Sequence, residues 1–382
     1  MSFTEITSTS WFSRLGDSIK GILFGLIAIP VALILIFWNE KREVDRTRTL
    51  EEGAKMVVVV NAQQISPANE NKLVYLTAEA TTSETLTDPD YGVSFQGALK
   101  LQRHVEYYQY EEESKSETNK KLGGGTETVT TYDYSARWVS SPIDSSAFKD
   151  PAFQTKNTIL KKIQETTLSP SSVELGAYQL SNSQIARLSA DSTFSLAADY
   201  SLPAMVASEA QVSGNNIYYG TDTQTPSIGD ARVHFTYTAA GTYSIIAQQA
   251  EKSFVTYQAK KGSLSILKSG AHSVDSLFAE EASSNSILSW VLRAVGFALM
   301  GFGFAAILNP LSVVLDVVPL LGNIAEIGTT LIAFILSLSI SSVTIAIAWL
   351  AFRPLLGCSL LLITFGAIYW LNRLKKKRAI MP

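Results

Sequence analysis

The chain has 382 residues, 46% of them hydrophobic and 17% charged, with a formal net charge of −3. A soluble protein carries about a quarter of its residues as charges. Here the charges concentrate in residues 39–286, which excludes a wholly soluble chain, and the near-neutral balance gives no basis for binding nucleic acid. The single cysteine, Cys358, excludes a disulfide framework or a thiolate metal site within one chain.

Residues 1–18 form a short N-terminal segment. The run IKGILFGLIAIPVALILIFW, residues 19–38, meets the ~20 apolar residues that a spanning helix needs. Lys20 lies at its edge and can snorkel. Pro30 sits mid-span, where a neighbouring helix or water can satisfy the freed carbonyl. No small-residue cleavage site follows, and the charged run NEKREVDRTRTLEE acts as a stop, so the segment reads as an uncleaved anchor. Gly21 and Gly25 form a GxxxG pair, which reads as a dimerisation face where a second helix can approach closely.

Residues 39–286 read as one large α+β domain with mainly antiparallel strands. EVDRTRTLEEGAK continues as a helix with a stop at Gly53, and MVVVV (56–60) and KLVYLTAEA (72–80) follow as strands. The clearest hairpin sets ALKLQRHVEYYQYEE (98–112) against TETVTTYDYSARWVSS (126–141). Leu99, Leu101, Arg103, Val105 and Tyr107 share one face. The link SKSETNKKLGGGT is charged and glycine-rich, hence a solvated tip. NSQIARLSA (182–190) is helical in pattern, residues 231–267 give further strands with turns at AAGT and KKGS, and AHSVDSLFAEEASS (271–284) reads as a helix leading back to the membrane.

Residues 287–308 form a second span, with Arg293 close enough to its start to snorkel. Residues 327–350 form a third and residues 354–371 a fourth, joined by a corner at Arg353-Pro354. Ser337 and Ser341 in the third span read as small residues that pack and hydrogen-bond across a helix seam. The other reading of this Ser-rich helix is a polar path through a channel or transporter. Four spans leave both termini on one side, and the basic tail, residues 372–382, makes that side cytoplasmic. The large domain is then extracytoplasmic.

Between the second and third spans lies LNPLSVVLDVVPLLGNIAE. Its two prolines exclude a span. Asn309 reads as a cap and Pro310 as the first helical residue. Leu311, Val314, Leu315 and Val318 share one face, with Ser312 and Asp316 opposite, so residues 309–326 read as an interfacial amphipathic connector.

No constellation of catalytic residues emerges. His104, His234 and His272 lack spaced ligand partners. GFGFAA (301–306) lies inside a span with no preceding strand, and LGGGT lacks the lysine of a phosphate loop. The expectation is a protein without enzymatic activity, cofactor or metal. A membrane-tethered enzyme with an unrecognised site is a further alternative.

The segments SWFSRLGDSIKGILFGLIAIPVALILIFWNEKR, PSIGDARVHFTY, RAVGFALMGFGFAAILNPLSVVLDVVPLLGNIAE and AWLAFRPLLG resemble the LUMA family of four-span membrane proteins, over nearly the whole chain. That resemblance implies a large luminal or periplasmic domain, self-association into a homo-oligomer, and a role in organising other membrane proteins or membrane shape. It carries no catalytic residues. Animal members of the family belong to the endoplasmic reticulum and inner nuclear membrane, where emerin and lamins are partners. The lack of glycosylation sequons and of a retrieval signal in AIMP points to a bacterial inner-membrane member, to which those partners would not apply.

Overall fold

A computed structural model of the chain describes residues 2–355 and Ser359. Most of the fourth span expected at 354–371, Cys358 and the basic tail at 372–382 lie outside the described residues. Strand β1 (Ser2–Thr9) leads into helix α1 (Trp11–Met56), 46 residues long. Ser10 caps this helix by accepting a hydrogen bond from the Ser13 amide. Helix α2 (Val274–Leu315) begins on a Ser273 cap with Asp275 in its first turn, and helix α3 (Pro319–Phe352) opens on a proline.

These three helices are long and apolar enough to cross a membrane. Their outward faces carry Leu23, Ile27, Ile34, Phe302, Leu331 and Phe334, all exposed, as a lipid-facing surface requires. Trp38 and Trp290 are exposed near one end of the apolar segments and Phe12 near the other, matching an aromatic belt at each interface.

Two expectations about helix ends need correction. Gly53 is not a stop, because α1 continues to Met56. A Cβ there would lie 2.6 Å from Leu264, so glycine serves close packing of the helix on the domain. Nor does a new helix start at Asn309-Pro310: α2 runs through Pro310 to Leu315, and Pro319 starts α3 rather than ending a connector. Pro310 lacks the N–H that would bond the Ala306 carbonyl. That oxygen faces Gly21 of α1, where a Cβ would still sit 3.6 Å away, and the Ser312 hydroxyl donates to the Asn309 carbonyl at 2.9 Å.

The large domain holds strands β2 (Leu73–Thr81), β3 (Lys100–Lys120), β4 (Thr126–Val139), β5 (Asn216–Tyr219), β6 (Ala231–Thr238), β7 (Gly241–Ala250) and β8 (Ile266–Ser269), mostly antiparallel. One sheet runs β1-β4-β3-β6-β5, and the other centres on β7 between β2 and β8. NSQIARLSA yields only a four-residue helix, Asn182–Ile185, because the chain breaks away after its capping box.

The expected alternation holds from Leu99 into β3, where Leu101, Val105 and Tyr107 are buried, with Arg103 among them. Arg103 is neutralised there by Asp88 at 3.1 Å and Asp90 at 2.6 Å. An apolar cluster joins Leu50 of α1 and Leu277 and Phe278 of α2 to Leu73, Ile246 and Ile266 of the sheet, so the domain stands on the ends of two helices.

Hairpin β3–β4 is longer than expected. Its strands pair from Tyr107↔Val139 to Lys120↔Thr126. Beyond Tyr108, β3 parts from β6 and runs on as an arm, with β4 and β1 beside it in a three-stranded ribbon, and residues 143–157 pack on its first part through Phe148 and Phe153 against Tyr110, Tyr132 and Tyr134. Strand β1 pairs with β4 from Ser2↔Asp133 to Thr9↔Thr126. This strand was not among the expected elements of residues 1–18, although FTEITST carries the alternation of one.

Candidate functional site

Two polar clusters bracket the apolar helices. The first joins all three helices at the end nearest the domain. Glu40 of α1 is fully buried, and Arg293 of α2 reaches its two oxygens at 2.6 and 2.8 Å. The Trp349 indole of α3 donates to the same carboxylate at 2.8 Å. Arg353 pairs with Glu43, Arg42 donates to Asn285 at 2.9 Å, and buried Asn39 donates to the Ser289 carbonyl at 3.1 Å. Arg293 was expected to snorkel to water. It is instead held by a bidentate carboxylate, the arrangement a membrane-buried charge requires.

Between the clusters runs a close seam. A Cβ on Gly25 would clash with the Gly303 carbonyl and with Ile307, whereas one on Gly21 would sit 3.6 Å from the Ala306 carbonyl. Both glycines of the GxxxG pair therefore face α2 of the same chain. Ser337 donates to the Phe297 carbonyl at 2.8 Å, and Ser341 lies 3.6 Å from the Met300 sulfur, so both hydroxyls are spent on the α2–α3 contact.

The second cluster lies at the opposite end. Asp316, buried at the α2–α3 corner, meets Arg14 at 2.5 Å and Lys120 at 2.8 Å, and Lys120 also reaches Glu326 at 2.7 Å. The Trp11 indole donates to the Val313 carbonyl at 2.8 Å, the Gly123 amide donates to the Val317 carbonyl at 3.1 Å, and Arg14 donates to the Gly124 carbonyl at 2.5 Å. Gly123 and Gly124 take φ of +87° and +80°, which glycine allows. Burial lowers the Lys120 ammonium, but hydrogen bonds to Asp316 and Glu326 outweigh it and raise its pKa above the ordinary lysine value.

The tip expected to be solvated is therefore docked. It touches the 309–326 stretch that the sequence reading set on the other side of the bilayer from the domain. In that stretch Leu311, Val314, Leu315 and Val318 are exposed, while Ser312 and Asp316 are buried toward the tip, and Pro310 lies within α2. Nothing local in the sequence announces these contacts, since Arg14, Lys120 and Asp316 are separated by more than a hundred residues each.

Among the described residues no group of His, Cys, Asp and Glu is placed to hold a metal ion. His104 and His234 lie opposite each other on β3 and β6, with rings stacked at 4.9 Å. His272 precedes the Ser273 cap of α2, and its ring lies 2.9 Å from the Ser269 carbonyl.

A family model described as Transmembrane protein 43 matches residues 107–354. The human transmembrane protein 43 is 31% identical over 359 residues, covering 90% of this chain and 88% of the relative. The chain belongs to the transmembrane protein 43 family. The rat protein is 30% identical over 371 residues, covering 93% of this chain and 91% of the relative. The fruit fly homologue is 27% identical over 364 residues, covering 92% and 94%. No solved structure matches the chain significantly. The stretch matched by the transmembrane protein 43 model takes in Lys120, Arg293, Gly303, Asp316, Ser337 and Ser341, while Arg14, Gly25 and Glu40 lie outside it. These relatives are animal proteins, which gives no support to the bacterial inner membrane favoured from sequence.

Proposed function

We propose that this transmembrane protein 43 family member is a multi-pass membrane scaffold without enzymatic activity, whose copies self-associate and organise other membrane proteins or membrane shape. Its large domain lies on the luminal side of the endoplasmic reticulum or inner nuclear membrane. The observation that carries this reading is where the polar groups of the bundle go. Glu40, Arg293, Asn39, Ser337 and Ser341 bond to one another or to neighbouring helices, and the outward faces are apolar. Such a bundle holds a fixed shape in lipid and offers its surface to other helices.

Light scattering of the full chain in a mild detergent tests self-association. A multimeric particle is expected, and a strictly monomeric one would sink the reading. Replacing Leu311 and Leu315 with Asp is expected to loosen assembly or membrane packing while the large domain stays folded.

A further inference from the structure

From Tyr108, where it parts from β6, to Lys120, the arm of β3 covers about 40 Å at ~3.3 Å per residue. From Glu40 to Arg14, α1 covers about 39 Å at 1.5 Å per residue. Arm and helix start from the domain side and meet again at Asp316, so the ribbon stands at the depth of the bilayer that the helices cross. From Ser116 to the tip neither of its faces is apolar. Lys115, Thr131 and Thr4 lie level on one face, and Ser116, Thr130 and Glu5 on the other. Strands of this composition cannot face hydrocarbon.

Toward the tip, both long edges of the ribbon are open. The Tyr108 and Tyr110 amides point away from β4, to the Asp230 carbonyl and the Asn157 side chain. By strand alternation Glu112, Ser114, Ser116 and Thr118 point the same way. The same alternation carried across β4 turns Thr4, Ile6 and Ser8 of β1 outward on the far edge. Among the described residues, the backbone groups of Ser114, Ser116 and Thr118, and of Thr4, Ile6 and Ser8, meet no partner on these edges. No proline blunts either edge.

We propose that a second copy of this chain fills each edge: the outer edge of β3 takes the outer edge of β1 from the next copy, and the copies close into a ring with polar ribbons inside and apolar helices against lipid. This rests on the self-association reading above and names its interface. Copies in one bilayer share one orientation, so their common axis runs along the strands and the joined strands are parallel. Strands β1 and β3 are both antiparallel to β4, hence parallel to each other, and they occupy opposite edges. A contact between unlike edges propagates and closes by rotation. Charge selects the pairing. Glu111, Glu112, Glu113 and Glu117 would repel a parallel, in-register copy of β3, whereas β1 presents Glu5 as its only charge.

The test uses the full chain with Cys358→Ser, which removes the single cysteine. Ser116→Cys together with Thr7→Cys, which lie on the same face of the ribbon, treated with a short bismaleimide in membranes, is expected to give a ladder of covalent multimers, while either change alone gives none beyond a dimer. Ser114→Pro with Thr118→Pro removes two outward donors and is expected to reduce the particle to a monomer, with the melting of the large domain unchanged. A multimer that survives both prolines, with no ladder from the cysteine pair, overturns the edge contact and leaves self-association standing. A wild-type chain that is monomeric in membranes overturns both.

Discussion

Arg293 of α2 holds both carboxylate oxygens of Glu40 in α1, at 2.6 and 2.8 Å, although 253 residues separate them in the chain. The pair is nearly dry, with side-chain exposures of 14% and 0%. Removing one member of such a pair costs about 3–5 kcal/mol, because the other is left charged and unpaired. Glu40→Gln is therefore expected to lower the thermal midpoint of the detergent-solubilised protein sharply. Glu40→Leu with Arg293→Met should recover most of the loss. A double variant as unstable as the single would show that the pair acts through something other than charge compensation.

The α1–α2 seam sets up an unequal pair of glycines. Gly25 has no room for a Cβ, with the Gly303 carbonyl in the way, while Gly21 has ordinary van der Waals clearance to Ala306. Gly25→Ala is expected to cost about 1–3 kcal/mol, as overpacked sites do, and Gly21→Ala to be near neutral. Chemical denaturation of the two variants side by side checks the order. Equal effects would mean that the helices do not approach as described.

Asp316 gathers Arg14 and Lys120 at the hairpin tip. Asp316→Ala leaves two cations facing each other without their shared anion, and the tip should detach. Amide exchange across residues 119–126 is expected to rise, as is tryptic cleavage after Lys121, while the strands of the domain core keep their protection. Unchanged exchange at the tip would assign its docking to the Gly123–Val317 and Trp11–Val313 hydrogen bonds instead.

His234 gives the domain a pH dependence. Burial, and then the neighbouring His104, hold the His234 imidazole below its ordinary value of 6.5, with Arg232 acting in the same sense and Glu106 against it. The unfolded chain therefore binds a proton more readily than the folded one. The stability this contributes is present above pH 6.5 and is lost as pH falls from 6.5 through the lowered folded value. His234→Gln should flatten the melting temperature of the protein across that window. A slope unchanged by the substitution would place the titration elsewhere.

Much of this architecture is local and so was legible. Four apolar runs of spanning length announce helices, of which the described residues hold three, and alternation announces the buried face of β3, while the Gly21 and Gly25 spacing announces a close helix approach but not that α2 of the same chain makes it. Other features escaped because their partners are distant in the chain. Residues 2–9 form a strand only because β4 offers an edge. The glycines at 123 and 124 read as a free tip, since no residue near them hints at Val317 or Trp11. Pro310 read as a helix start, because the rule for proline assumes that the freed carbonyl has nowhere to go. Here it faces Gly21 of α1 with ordinary van der Waals clearance.

The sequence by itself determined the solvent of each segment, because hydropathy and strand or helix period are properties of neighbouring residues. Only the tertiary structure decided which charges meet. Whether Arg293 reaches water or Glu40, and whether the hairpin tip is free or bound to Asp316, depends on how helices and ribbon are laid side by side. The large cost of leaving a buried charge unpaired makes those long-range pairings part of the fold itself.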